Sequence, residues 1–208
     1  MARPTAGGGN EDDLCAFADH PQHPMAWTDR PLVPGDGPLL EQATLGNLNW
    51  REQRFSGRDV EVRPEFRHYA QMVRERGDFG FVAERGGEPI GVVWAQLLPA
   101  GDPGYGLVDE STPEVSLWVR EDSRGQGVGK VLLRRLQREA IDRRWARLSL
   151  SVEAGNQARR LYASEGFEPV AGREADSVMV WHPDALSAAV GVNSSGRSTS
   201  ALATGKSL

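Results

Sequence analysis

Arg124-Gly125-Gln126-Gly127-Val128-Gly129 stands between a run that alternates like a strand and one that repeats like a helix. Glycines at alternate positions remove the side chains that would keep a ligand off the backbone. The helix that starts here offers N–H groups with no partner inside the helix and the positive end of its dipole. A strand, a glycine-rich turn and a helix start together make a seat for a phosphate or pyrophosphate. A nucleotide-like cofactor is the first ligand to expect. Two familiar phosphate loops do not fit. A P-loop ends in Gly-Lys-Ser/Thr and needs an earlier glycine, but Gly129-Lys130 is followed by Val131 and Arg124 holds the earlier glycine's place. The Gly-x-Gly-x-x-Gly dinucleotide pattern, counted from Gly125, reaches Gly127 and then Lys130. The pattern that remains is Arg-x-x-Gly-x-Gly at a strand-to-helix junction.

Working outward, Glu114 to Arg120 alternates, with Val115, Leu117 and Val119 on one face and Glu114, Ser116, Trp118 and Arg120 on the other. Gly127 to Asp142 reads as a helix whose Val128, Leu132, Leu136 and Ala140 line one side while Arg134, Arg135 and Arg138 face water. Upstream, Phe79 to Glu84 and Pro89 to Leu98 read as strands joined at Gly86-Gly87. Leu39 to Asn49 and Pro64 to Arg76 read as helices, the second with a proline at its start and Phe66, Tyr69, Ala70 and Val73 on its apolar side. Downstream, Arg147 to Val152 is a strand, a short helix runs from Asn156 to near Gly166, and Phe167 to Val170 and Ser177 to Trp181 are strands. The alternation predicts a mixed α/β domain around one sheet, not a doubly wound dinucleotide fold.

The chain has 208 residues, 39% hydrophobic and 25% charged, with a net charge of −5, values that suit one soluble domain with polar tails. The acidic balance does not point to nucleic acid. No apolar run approaches the roughly 18–20 residues needed to span a bilayer, and Met1 to Asp13 lacks the layout of a secretory signal. Cys15 is the only cysteine, so no internal disulfide can form, which fits a reducing cytoplasm. Residues 1–35 read as a flexible N-terminal arm, 36–184 as the folded domain and 185–208 as a disordered tail. His20 and His23 lie in the Pro-rich arm without further ligands, so no metal site is expected.

Two segments carry a family resemblance. Glu114-Val-Ser-Leu-Trp-Val-Arg-Glu-Asp-Ser-Arg-Gly-Gln-Gly-Val-Gly-Lys130 resembles the acetyl-CoA-binding segment of the GNAT superfamily of N-acetyltransferases. Asn156-Gln-Ala-Arg-Arg-Leu-Tyr-Ala-Ser-Glu-Gly-Phe167 resembles that superfamily's second signature, in the right order and at the usual separation. The resemblance spans about 79 to 181. It implies a single domain with a central, mostly antiparallel sheet of about six or seven strands flanked by helices on both faces. It also implies acetyl transfer from acetyl-CoA to a primary amine of a small molecule or peptide by direct attack, with no metal, and allows a homodimer.

The same resemblance suggests roles. Gly125, Gln126, Gly127, Val128, Gly129 and Lys130 would wrap the pyrophosphate with backbone N–H groups. Arg124 would contact phosphates or brace the turn, and the Lys130 side chain would reach the phosphates or the nucleotide end, or do nothing. Backbone groups of Leu117, Trp118 and Val119 would hold the pantetheine arm and the thioester oxygen. Tyr162 would protonate the leaving thiolate or simply pack the short helix. Asn156 would touch the pantetheine arm or cap the helix. For the general base, Glu114 leads, Asp109 and Glu110 compete, and an amine already deprotonated needs none. The acceptor should lie opposite the cofactor, near the early helices and the 99–113 loop, where Trp50, Phe55, Tyr69, Trp94 and Tyr105 are candidate lining. His68 is either a ligand-facing base or a packed helix histidine. The rival reading is a non-catalytic acyl-CoA-binding or sensing module.

Overall fold

The computed structural model describes residues 27–183. The expected tail at 185–208, His20, His23 and most of the expected arm lie outside the described residues. Seven strands form one sheet: β1 Thr28–Pro31, β2 Phe79–Arg85, β3 Glu88–Gln96, β4 Glu114–Val119, β5 Leu148–Ser151, β6 Glu168–Pro169 and β7 Val178–Trp181. Their order across the sheet is β1-β2-β3-β4-β5-β7-β6. Every neighbouring pair is antiparallel except β4 and β5. Five α-helices accompany them: α1 Gly37–Leu48, α2 Gly57–Val62, α3 Pro64–Arg67, α4 Val128–Asp142 and α5 Ala158–Ser164. The mixed α/β architecture with one mostly antiparallel sheet is the one expected.

Three local readings change. β1 lies inside the expected arm. Thr28 to Pro31 has no periodicity of its own, and it becomes a strand because the edge of β2 pairs with it; Pro31 is tolerated because this is an edge. The 64–76 helix is broken into α3 and two 3-10 turns, His68–Ala70 and Arg74–Arg76. The buried Gln96 amide takes the carbonyls of His68 at 2.8 Å and Gln71 at 2.6 Å, and Asp78 accepts from the Val73 N–H at 2.9 Å. These side chains satisfy backbone groups that a continuous helix would have used internally. Helix α2 was not expected. Its signal is Ser56-x-x-Asp59, a reciprocal cap in which the Asp59 carboxylate accepts from the Ser56 N–H at 2.8 Å.

Each face of the sheet carries a core. On one, α4 lays Val128, Leu132, Leu133, Leu136 and Ala140 over Phe81, Ile90, Val93 and Val115. On the other, α1 brings Leu39, Leu40 and Ala43 against Val82, Val92, Trp94 and Trp118. The alternation of β4 therefore separates two cores rather than core from solvent: Val115 belongs to the α4 side and Trp118 to the α1 side. Gly46 in α1 is required by this packing, because a Cβ there would overlap the Trp118 indole.

Candidate active site

The sheet opens between β4 and β5. These strands share a single register pair, Glu114 with Ser149, with Ser149 N–H donating to Pro113 C=O at 3.0 Å. Beyond it they part. Polar backbone groups of a strand alternate in direction. Arg120 N–H donates to Ile90 of β3, so Trp118 and Ser116 also face β3, and Leu117 and Val119 face the gap. Of the three backbone positions expected to serve a thioester, Leu117 and Val119 are thus directed at the opening, while Trp118 spends its backbone on β3 and its ring on α1.

A cleft of about 980 Å³ occupies this opening. Val119, Arg124, Gly125 and Gly129 line one end; Glu114, Tyr69 and Tyr105 line the other; Asn156, Leu161 and Tyr162 of the α5 region border it as well. Trp50, Phe55 and Trp94 also line it, so all five aromatics expected near the acceptor do.

At the loop end, Gly125 and Gly127 have φ of +74° and +83°, a region where side chains are strained. A Cβ at either would stand in open space, so no packing demands the glycine. Gly127 caps α4 without a side-chain hydrogen bond, and the first helical N–H to find an acceptor is Val131, at 3.1 Å from Gly127 C=O. The N–H groups from Gly125 to Lys130 have no acceptor among the described residues. Side chains are drawn away from them. Arg124 Nε donates to Val119 C=O at 3.0 Å, which is the bracing role. Gln126 donates to Asp122 C=O and accepts from Arg85. Val128 is core. Lys130 pairs with the buried Glu165 at 3.3 Å, alongside Arg134 at 2.6 Å. Asn156 Oδ1 accepts from Ala158 N–H at 2.9 Å, bracing the start of α5 from one residue before its cap, Gln157, while still bordering the cleft.

At the other end Glu114 is buried, only 5% exposed. Its Oε1 accepts from the Tyr69 hydroxyl at 2.8 Å, and its Oε2 is buried without a partner. Tyr69 in turn accepts from Tyr105 N–H at 2.8 Å, tying the 99–113 loop to the carboxyl. Burial pushes the Glu114 carboxyl up to about 7, while the Tyr69 hydroxyl and the nearby Gly106 backbone pull the other way. Burial also raises Tyr162, whose ring packs edge-on against Phe167 at 5.8 Å. Asp109 and Glu110 do not border the cleft. Asp109 accepts from Ser111 and Thr112 and pairs with Arg147, which in that order keep it below the usual carboxylate range, and Glu110 accepts from Ala100 N–H. His68 is buried beside Asp102 at 2.9 Å and does not border the cleft either.

Sequence reading missed the Tyr69–Glu114 pair and the two glycines above it. A Cβ on Gly104 would overlap Glu114 Oε2, and one on Gly106 would come within 2.7 Å of the Leu150 carbonyl carbon. The flanking glycines of Gly104-Tyr105-Gly106 were the available signal.

A model of the acetyltransferase (GNAT) family matches residues 43–167. The chain belongs to this acetyltransferase family. Solved structures with the same fold include the PaiA N-acetyltransferase from Thermoplasma acidophilum in complex with coenzyme A, at 16% identity and TM-score 0.56, covering 76% of this chain and 99% of that one. The ribosomal-protein-alanine N-acetyltransferase from Brucella melitensis is 25% identical, with TM-score 0.51 and coverage of 74% and 99%. AAC(6')-Ib in complex with ribostamycin and coenzyme A is 20% identical, with TM-score 0.54 and coverage of 82% and 99%. No curated relative matches by sequence. Among the described residues of this acetyltransferase, no helix is long and apolar enough to cross a membrane, and no cluster of His, Cys, Asp and Glu could hold a metal ion.

The raised Glu114 makes stability depend on pH in a defined direction. The folded state keeps this proton up to about 7, against 4.5 for the ordinary group. Between those values the folded state binds more protons than the unfolded, so stability falls as pH rises. The span corresponds to roughly 3 kcal/mol. Glu114→Gln, neutral at all pH, should flatten the urea-denaturation stability profile between pH 5 and 8 by about that amount. Parallel profiles for the two proteins would show that Glu114 is not the source.

Proposed function

We propose that this acetyltransferase moves the acetyl group of acetyl-CoA onto a primary amine by direct attack, with Glu114 as the base. The observation that carries the reading is one continuous cleft joining a row of unpartnered N–H groups at the start of α4 to a buried carboxyl with a free oxygen. The N–H groups of Gly125 to Lys130 suit the pyrophosphate of acetyl-CoA. The parted backbone at Leu117 and Val119 suits the pantetheine arm and the developing oxyanion. Asn156 serves the short helix first and borders the arm second.

An amine entering as an ammonium loses a proton to Glu114, directly or through a water, at the unpartnered Oε2. Its nitrogen lone pair attacks the thioester carbonyl, a C–N bond forms, and the carbonyl electrons shift to the oxygen. Collapse breaks the C–S bond, the electron pair leaves on sulfur, and the second nitrogen proton passes to the released thiolate, giving the neutral amide and the free thiol. A carboxyl near 7 is matched to this work, since it is a stronger base than an exposed glutamate and still largely ionised above neutral pH. Tyr162 faces the cleft, but burial makes its phenol hold its proton more tightly. Its suitable role is a hydrogen bond to the leaving sulfur, not full proton donation.

Steady-state thiol release with a panel of primary amines tests the reading. At saturating amine, kcat should rise with pH through about 7, because only ionised Glu114 accepts the proton. Glu114→Gln should lose this limb and lower kcat on the order of 100-fold. Binding of acetyl-CoA without any amine-stimulated thiol release would favour the sensing module instead. Gly127→Val should abolish acetyl-CoA binding by calorimetry while the far-UV spectrum persists, because its side chain would enter phosphate space; unchanged affinity would move the pyrophosphate elsewhere. Tyr162→Phe should lower kcat several-fold with little change in KM for acetyl-CoA; equal rates across the pH range would leave Tyr162 as packing only.

A further inference from the structure

The acceptor end of the cleft has a composition that selects among amines. Its walls are Trp50, Phe55, Phe66, Tyr69 and Tyr105. Phe55 and Phe66 meet edge-on at 4.9 Å, and Tyr69 and Tyr105 lie nearly parallel, 8° apart with centroids at 6.3 Å. Tyr105 is 55% exposed, the one aromatic among the exposed large hydrophobic side chains of the described residues. Its ring lies parallel to Tyr69, borders the cleft and keeps more than half of its surface exposed. Its position is not loose. Its N–H donates to the Tyr69 hydroxyl, and Gly104 and Gly106 on either side sit where a Cβ would strike Glu114 and β5.

Several charges around these walls are paired: Arg63, whose guanidinium lies over the Phe66 ring at 4.6 Å, pairs with Glu65 at 2.8 Å. Arg54 pairs with Glu153 at 3.2 Å, and Glu153 also accepts from Trp50 Nε1 at 2.7 Å. Asp176 pairs with Arg173 at 2.6 Å. Arg124 belongs to the opposite, loop end. Glu114 Oε2 is the carboxylate oxygen at this end that is buried without a hydrogen-bond partner. A polyamine or an aminoglycoside would bring several ammonium groups to a wall with one carboxylate to meet them, and an acidic amino acid would bring a carboxylate to an arginine already engaged. A flat apolar group gains by covering the exposed ring area of Tyr105.

We propose that the acceptor is a monoamine carrying one flat apolar group, which lies on the exposed ring of Tyr105 while its nitrogen reaches Glu114. This rests on the acetyl-transfer reading. The Tyr69 hydroxyl, touching both Glu114 and the Tyr105 backbone, sets the two ends of the seat relative to each other. Tyr105 acts here as a specificity residue for the acceptor.

The test compares kcat/KM by thiol release for phenethylamine, ethylamine, spermidine, kanamycin and glutamate, in the native protein and in Tyr105→Ala. Phenethylamine should exceed ethylamine by about tenfold or more, and should exceed the polycationic and acidic amines. Tyr105→Ala should bring the phenethylamine-to-ethylamine ratio toward one. An unchanged ratio in Tyr105→Ala, or a preference for spermidine, kanamycin or glutamate, overturns the proposal. If no amine stimulates thiol release, the transfer reading fails and the seat is read by calorimetry. Phenethylamine titrated into the coenzyme A complex should bind and lose that binding in Tyr105→Ala. No binding, or equal binding by the variant, overturns the seat as well.

Discussion

The parting of β4 from β5 is the constraint on which the rest depends. A sheet that opens in its middle leaves backbone groups without ladder partners, and such groups are costly unless something else meets them. Here the two halves are held apart and aligned by helices rather than by hydrogen bonds between strands. α4 rests on the β2–β3–β4 half, and its Arg134, Lys130 and Gln137 all reach Glu165 at the end of α5. A buried carboxylate with several donors is a strong local tie. It fixes α5, with Tyr162 and Asn156, beside the gap.

The opposite end is organised by a buried acid. Glu114 heads β4, and the register with β3 sets Glu114 against Gln96 and Trp118 against Val92. The α1-side core therefore closes over it. Tyr69 meets one oxygen, the 99–113 loop presses down through Gly104, and the second oxygen is left free. Desolvation is what raises this carboxyl. An exposed glutamate at the same sequence position would be an ordinary surface charge. The raised carboxyl at this end comes from the residues packed over it, not from the strand alone.

Much of the fold was legible because its signals are local. The period of α4, the Gly86-Gly87 hairpin and the alternation of β4 depend on neighbours in sequence, and each appears in the structure near its expected bounds. The broken 64–76 segment was not legible. Its apolar spacing is helical, but Gln96 and Asp78, far along the chain, take its backbone groups. β1 was illegible for the same reason, since four residues without pattern become a strand only against β2.

The glycine turn at the start of α4 was readable in the sequence, because Gly125, Gly127 and the helix start are contiguous and their backbone geometry is a local property. The sequence also pointed to the family through two motifs of short span. The different surroundings of the carboxylates come from the tertiary structure alone. Glu114, Asp109 and Glu110 are near neighbours in sequence, yet one is buried under Tyr69 and the others are spent on Arg147 and the Ala100 backbone. The tertiary structure also turned Trp118 away from the gap and Lys130 toward Glu165. Burial, strand direction and charge pairing depend on residues brought together from distant parts of the chain, and no short motif encodes them.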